Sequence, residues 1–322
     1  MYLHQPRRMA MISKIQALGC SLLLVCPAMP AAAQEDVDPA GGPCRLELVV
    51  GPSVDWLGPL GRGYEVFAGG ESYETANIEI RHVGAACRFA LTGSPASGSV
   101  TPQLTSGSSR LDYDIVASTN GPSLLSPDYF GTQTSRIEGQ FQAGTGVQVV
   151  PLLVAIPAGQ FVRSGSYQGQ ALLRLFAAEE GSDVLQAEAP IMIATRVPSG
   201  LEIRSPDFGP GVRDTSIDLG ELSDGVEREV DFAVRSNADV NVSFRSENGG
   251  RLAHAHGAPG IPYQLDVAGV PVDPAAGGVI AMPFREDGQE HNVPIRVEVP
   301  RSTEARAAGY YRDTLLVTFT VP

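Results

Sequence analysis

Lysine is nearly absent from this chain. Lys14 is the only one in 322 residues, so every later basic side chain is an arginine. Basic residues of either kind are scarce, 23 against 36 acidic ones, for a net charge of −13. Such an acidic chain lacks the positive footprint of a nucleic-acid binder and is repelled by anionic lipid. Cysteine is sparse too, four in all, and Trp56 is the one tryptophan. That is far too little cysteine for a dense disulfide scaffold. The only long apolar run lies near the N terminus, and no stretch after residue 34 keeps a helical period long enough for a helix.

That N-terminal run reads as an export signal. Arg7, Arg8 and Lys14 precede "IQALGCSLLLVCPAM", which leads into "PAAAQED". Ala31, Ala32 and Ala33 fit cleavage just before Gln34, giving a signal peptide of residues 1–33. A transmembrane anchor is the competing reading, but the run is short and ends in small residues and acids. Lipidation is disfavoured, because Val25 before Cys26 is too large for a lipobox and Cys20 lies ahead of most of the apolar core. Cleavage takes three of the 23 basic residues, so 20 then face 36 acids, a net charge of −16. Cys44 and Cys87 survive it. In an oxidising compartment an even count makes one disulfide the default, worth about 4 kcal/mol in the chain-entropy model.

What is abundant is turn-forming residue: 36 glycines and 25 prolines, with short apolar runs between them. That pattern predicts an all-β chain. An internal repeat organises it. "VPLLVAIPAGQFVRSGSYQGQALLRLF" from Val150 is matched by "VPIRVEVPRSTEARAAGYYRDTLLVTF" from Val293. Pro151 and Pro157 correspond to Pro294 and Pro300, and Gly165 and Tyr167 to Gly309 and Tyr311 after one inserted residue. Upstream, "NIEIRHVGAACRFAL" from Asn77 parallels "DFAVRSNADVNVSF" from Asp231, with Cys87 close to Val240. "LDYDIVASTNG" parallels "IPYQLDVAGVPV" in the same order. Two related β-domains are expected, at 44–197 and 198–322.

The copies differ at their ends. After its Tyr167 strand the first continues through "AEEGSD" into "VLQAEAPIMIATRV", a further strand; the second has no counterpart before Pro322. Its last strand places Leu315, Val317, Phe319 and Val321 on one face and threonines on the other, the period of a half-buried strand. An open sheet edge and an uncovered core are expected there. If those four side chains lose cover at ~1.5–3 kcal/mol each, about 6–12 kcal/mol goes unrealised. Such a domain should accept a strand from another chain, as in donor-strand complementation of pilins.

Three phrases, "VRSNADVNVSFRSENGGRLAH", "IPYQLDVAG" and "AGYYRDTLLVTFTV", resemble the spore coat protein U family of archaic chaperone–usher pilus subunits. The pattern Gly309, Tyr311, Asp313, Thr314 is the most specific part. The resemblance covers Leu201 to Pro322 well and Cys44 to Phe176 more faintly. It implies two tandem immunoglobulin-like sandwiches, the second lacking its last strand. It also implies a periplasmic chaperone, an outer-membrane usher and a neighbouring subunit's donor strand as partners, with display on a cell-surface pilus. Leu201 and Ile203 would flank one side of the groove, and Leu315, Val317, Phe319 and Val321 the other. The sequence departs from a shaft subunit at "QEDVDPAGGP", where Val37 is the only large apolar residue, so this chain is expected to accept a strand without donating one. Only a tip subunit has that property.

Contact chemistry at a tip would lie on loops of the first domain. "VDWLGPLGRGY" sets Trp56, Leu57, Leu60 and Tyr64 among turn residues, and "SLLSPDYFGTQ" does so for Leu124, Leu125, Tyr129 and Phe130. These side chains either meet a receptor or surface, or fold back as plugs of the core. No catalytic set is found, and no metal or cofactor is expected. "HAH" at His254 and His256 lacks further ligands. "REDGQEHN" lacks calcium-loop spacing, and "GPLGRG" has no helix after it. "GSYQG" misses the nucleophile-elbow spacing at Ser166. The Asn241 sequon lies within an expected strand. The competing functional class is a free-standing secreted or periplasmic two-sandwich binding protein; a hydrolase has no candidate residue.

Overall fold

The structure, a computed structural model, describes residues 42–95, 101–125, 135–179, 182–209, 211–212, 214–222, 225–302 and 305–322. The expected signal peptide, with Tyr129 and Phe130, lies outside the described residues.

Every regular element among the described residues is a strand. The first eleven are β1 (Arg45–Val49), β2 (Val54–Trp56), β3 (Tyr73–Gly84), β4 (Cys87–Pro95), β5 (Gln103–Ser106), β6 (Ser109–Asp112), β7 (Asp114–Val116), β8 (Ile137–Phe141), β9 (Gly144–Ala155), β10 (Gly165–Glu179) and β11 (Ser182–Val197). They form two facing sheets, β1-β3-β9-β7 and β2-β11-β10-β4-β8, with β5 and β6 attached to the second. This is the immunoglobulin arrangement of A-B-E-D against G-F-C, with β10 as strand F and β11 as strand G. Alternation explains it. Ile78 and Ile80 of β3, Leu152 and Val154 of β9, and Leu173 and Leu175 of β10 all point into one core, none more than 1% exposed. Their polar neighbours face out.

The remaining strands are β12 (Leu201–Arg204), β13 (Val226–Ser236), β14 (Val240–Ser246), β15 (Arg251–His254), β16 (Ile261–Pro262), β17 (Gln264–Val267), β18 (Val270–Val272), β19 (Gly278–Met282), β20 (His291–Val299), β21 (Tyr311–Arg312) and β22 (Leu315–Thr320). One sheet runs β12-β13-β20-β17-β18 and the facing one β19-β14-β22, beside the small β16-β15-β21 sheet. A second core, around Val234, Val242, Leu265 and Ile295, fills the space between them.

The pairing registers repeat between the two copies. Ile78 lies opposite Val150 as Phe232 lies opposite Val293. Leu46 lies opposite His82 as Leu201 lies opposite Ser236. Leu175 lies opposite Leu91 as Phe319 lies opposite Val242. That last register sets Phe89, two residues beyond Cys87, in the place of Val240. Both copies share one corner as well. Tyr167 donates to the Arg163 carbonyl at 2.7 Å and Tyr311 to the Ala307 carbonyl at 2.9 Å, each four residues back. This is the tyrosine corner at the start of strand F. The glycine two residues before each tyrosine has a positive φ, 156° at Gly165 and 151° at Gly309. At Gly309 a Cβ would run into the His254 ring.

The sandwiches meet across an aromatic and cationic junction. Phe161 lies between Phe67 and Phe284, with centroids 5.9 and 6.0 Å away, and Arg235 sits 4.8 Å over its ring. Arg163 pairs with Asp239 at 2.7 Å, and Ser164 N donates to the Asn237 carbonyl at 2.8 Å. Asn237 is fully buried and holds the linker from both sides, donating to Pro198 O and accepting from Gly200 N. Strand β12 therefore leaves the junction from a fixed point.

Candidate functional site: an unfilled edge in the second sandwich

Strand β10 has neighbours on both edges. β4 pairs with one, and β11 runs antiparallel along the other from Gly165↔Val197 to Glu179↔Ser182. β22 occupies the matching place in the second copy, paired with β14 on one edge. Among the described residues no strand pairs with its other edge. The segment "VLQAEAPIMIATRV" lies on β10 within its own sandwich and does not cross over.

Exposure follows this difference position by position. Ala171, Leu173 and Leu175 of β10 are 0% exposed, whereas their counterparts Leu315, Val317 and Phe319 are only partly buried, as is Val321. On the opposite wall Leu46 is buried at 7%, while Leu201 is partly buried and Ile203 is 43% exposed. All six residues expected to flank a groove thus keep solvent-exposed surface. Phe232 of β13 lies 5.4 Å from the Phe319 ring. Partial cover corrects the size of the expected deficit. With part of their area already sheltered, Leu315, Val317, Phe319 and Val321 have about 2–4 kcal/mol of apolar burial left to gain. The unpaired edge amides add to that on strand entry.

Asp313 anchors the chain just before β22. Its Oδ2 accepts from Ser246 Oγ at 2.5 Å and Tyr263 Oη at 2.7 Å, and its Oδ1 from the amides of Asn248 and Thr314 at 3.0 and 2.8 Å. Burial pushes the Tyr263 phenol well above its ordinary range. In the first copy Gly169 stands where Asp313 does, and the hydroxyl of Tyr113, the counterpart of Tyr263, is left without a partner. The carboxylate therefore belongs to the copy whose F strand lacks an outer neighbour. In the sequence Asp313 stands out only within the pattern Gly309, Tyr311, Asp313, Thr314. The spacing of Tyr263 to Asp313, aligned against Tyr113 to Gly169, was the available signal.

The expected contact loop is placed differently. Of the two readings for Trp56 and Tyr64, surface contact or core plug, the structure has the second: each is only 3% exposed and belongs to the core of the first sandwich. β2 pairs in parallel with β11, Trp56 opposite Thr195, and Thr195 Oγ1 donates to the Trp56 carbonyl at 2.8 Å. Tyr64 lies 6.2 Å from the Trp56 ring, and its hydroxyl meets Gln160. Aromatic side chains of this size gain several kcal/mol by burial, which pulls the loop inward. Gly63 makes this possible, with φ 97° and a contact against the Arg196 carbonyl that no side chain could share. Leu57 and Leu60 remain outside, at 51% and 59% exposure, beside the linker end of the sandwich. Leu124 and Leu125 are buried.

Cys44 and Cys87 form the disulfide, with Cα atoms 6.1 Å apart. It ties the start of β1 to the start of β4. His254 is used locally: its Nδ1 accepts from His256 N and Ala258 N, and its ring packs 4.8 Å from Tyr311.

No protein-family model matches the chain, and no curated protein matches it. Solved structures do. One is the CsuC–CsuE chaperone–tip adhesion subunit pre-assembly complex of archaic chaperone–usher Csu pili from Acinetobacter baumannii, at 13% identity and TM-score 0.41, covering 85% of this chain and 99% of that one. Another is the CupB6 tip adhesin from Pseudomonas aeruginosa, at 14% identity and TM-score 0.44, covering 85% and 94%. A third is CfaE, the adhesive subunit of CFA/I fimbria of enterotoxigenic Escherichia coli, at 12% identity and TM-score 0.31, covering 86% and 87%. These are remote likenesses in fold.

Proposed function

We propose that this chain is an exported, non-enzymatic structural and adhesive subunit of a chaperone–usher pilus. Its second sandwich, 198–322, accepts an extended strand from a neighbouring subunit. One observation carries the proposal: β10 is flanked by β11, while β22, at the same register, has no strand on its outer edge among the described residues, and its apolar side chains are half-covered. The first sandwich shows what fits such an edge, an antiparallel strand with small and β-branched residues facing inward, Ala187, Ala189, Ile191 and Ile193. An edge of this kind is an aggregation hazard unless covered. A periplasmic chaperone would cover it first, and the neighbouring subunit would replace the chaperone at an outer-membrane usher. The tip position is supported by the composition of "QEDVDPAGGP", whose lone Val37 could not fill a comparable groove. The first sandwich, 44–197, would then face the surface or receptor, and Leu57 and Leu60 are the exposed side chains of its loop.

The test extends the chain beyond Pro322 with its own Glu179–Val197 sequence, which re-creates the β10–β11 hairpin on β22. The extended protein should be a soluble monomer, and the unextended protein should aggregate unless a donor peptide is supplied. An unextended protein that is a stable monomer and ignores the peptide would overturn the proposal in favour of a free-standing binding protein.

A further inference from the structure

The first sandwich contains a cleft of about 230 Å³, and at the equivalent place the second sandwich carries a phenylalanine. The cleft opens where the chain crosses from β1 to β2, against the part of β3 that β1 leaves unpaired. β1 reaches only to Val49↔Glu79, so among the described residues Tyr73 to Ile78 of β3 have no paired strand on that side. In the second sandwich the equivalent crossing follows β12, and there Phe208 turns inward. Its ring lies 5.4 Å from that of Phe232, the counterpart of Ile78. The preceding Asp207 accepts the Asp231 N–H through Oδ2 at 3.0 Å, and Asp231 is the counterpart of Asn77. Counting from the matched pair Leu46 and Leu201, Phe208 corresponds to Ser53 and Asp207 to Pro52. The first copy therefore has a hydroxymethyl in place of a phenyl ring and no side-chain acceptor for the Asn77 amide. Ser53, Asn77 and Ile78 all line its cleft.

We infer that this cleft is a binding site for a single neutral pyranose ring, such as a terminal hexose of a glycan. Val54 offers the partly exposed apolar surface of the lining, and the core residues Ile78 and Ile191, each 1% exposed, close its base. Asp55 and Glu74 line the cleft as acceptors for hydroxyl groups. Glu74 is oriented by the Leu57 amide, which donates to its Oε1 at 3.3 Å. The Asn77 amide and the Ser53 hydroxyl supply donors. Two carboxylates without a facing arginine in the lining disfavour an anionic sugar. The volume lies below the roughly 300–1,000 Å³ of sites for drug-sized ligands, which suits one ring rather than an oligosaccharide. The inference does not depend on strand acceptance, because the cleft belongs to the other sandwich.

The test titrates the full exported chain with free glucose, galactose, mannose and N-acetylglucosamine, followed by saturation-transfer NMR and by Trp56 fluorescence, which also verifies that the first sandwich is folded. At least one hexose should bind saturably. Ser53→Phe, which installs the plug of the second copy, should abolish binding. Asp55→Asn, which leaves the shape intact, should weaken it about tenfold, the loss of one charge-assisted hydrogen bond. Three results would overturn the assignment: no binding by any of the four sugars, binding unaltered by both substitutions, or saturable binding of phenol in place of sugars.

Discussion

Replacing Phe319 by alanine should have a small effect in the unextended chain and a large one once the groove is filled. Its ring is partly exposed, so truncation forfeits part of a phenylalanine's burial and leaves a dent open to water rather than an enclosed cavity. About 1–2 kcal/mol is expected. With a strand laid over it the same ring becomes a core residue, and Phe→Ala in a core costs about 3–5 kcal/mol. Leu175→Ala, at the matching position under β11, is the internal control. It is 0% exposed already and should cost ~2–5 kcal/mol with or without the extension. The two sandwiches can be read separately in urea. Trp56 is the only tryptophan and lies in the first core, so its fluorescence follows that unit, while far-ultraviolet circular dichroism follows both. Phe319→Ala should shift only the transition invisible to Trp56. Equal costs for Phe319→Ala in the extended and unextended chains would refute the reasoning, since they would mean that the ring is enclosed before any strand arrives.

Two further outcomes follow from the same geometry. Asp313→Ala strips partners from Ser246, Tyr263 and two backbone amides, and should destabilise the second sandwich by ~3–5 kcal/mol, measured in the extended chain by urea unfolding. The phenols of Tyr64, Tyr113, Tyr167 and Tyr263 are all held above the usual value of 10.0, chiefly by burial. A raised folded-state pKa contributes stability that is fully present below pH 10.0 and is lost as pH rises through the folded values. Stability should therefore be unaffected by these groups at neutral pH and fall above about pH 10. Difference absorbance should show them ionising after the exposed tyrosines. Tyrosinate formation by all phenols together, with the fold intact, would contradict this.

Much of the fold was legible because the chain states it twice. Paired prolines, the Gly–Tyr step and the alternation of β22 gave sandwich, repeat and open edge together, and the registers of β3 with β9 and β13 with β20 follow the same alignment. The disulfide was legible from compartment and count. Trp56 and Tyr64 were not, because glycine and proline around an aromatic mark a turn without saying which way the ring points. The parallel pairing of β2 with β11, across more than a hundred residues of sequence, decides that. The cleft at Ser53 was hidden for a related reason. It is visible only when the crossing after β1 is superimposed on the crossing after β12, and those two stretches share few residues. The depth of the groove was overestimated because alternation reports which side chains face inward and not how much their flanking loops already shelter them.

Amide hydrogen exchange along Leu315–Thr320 tests the open edge most directly. In the unextended chain the amides of β22 that point away from β14 should exchange quickly, and a peptide of the Ser182–Val197 sequence should protect them in an alternating pattern. Uniform protection of that edge without any peptide would show a closed sandwich and contradict the account.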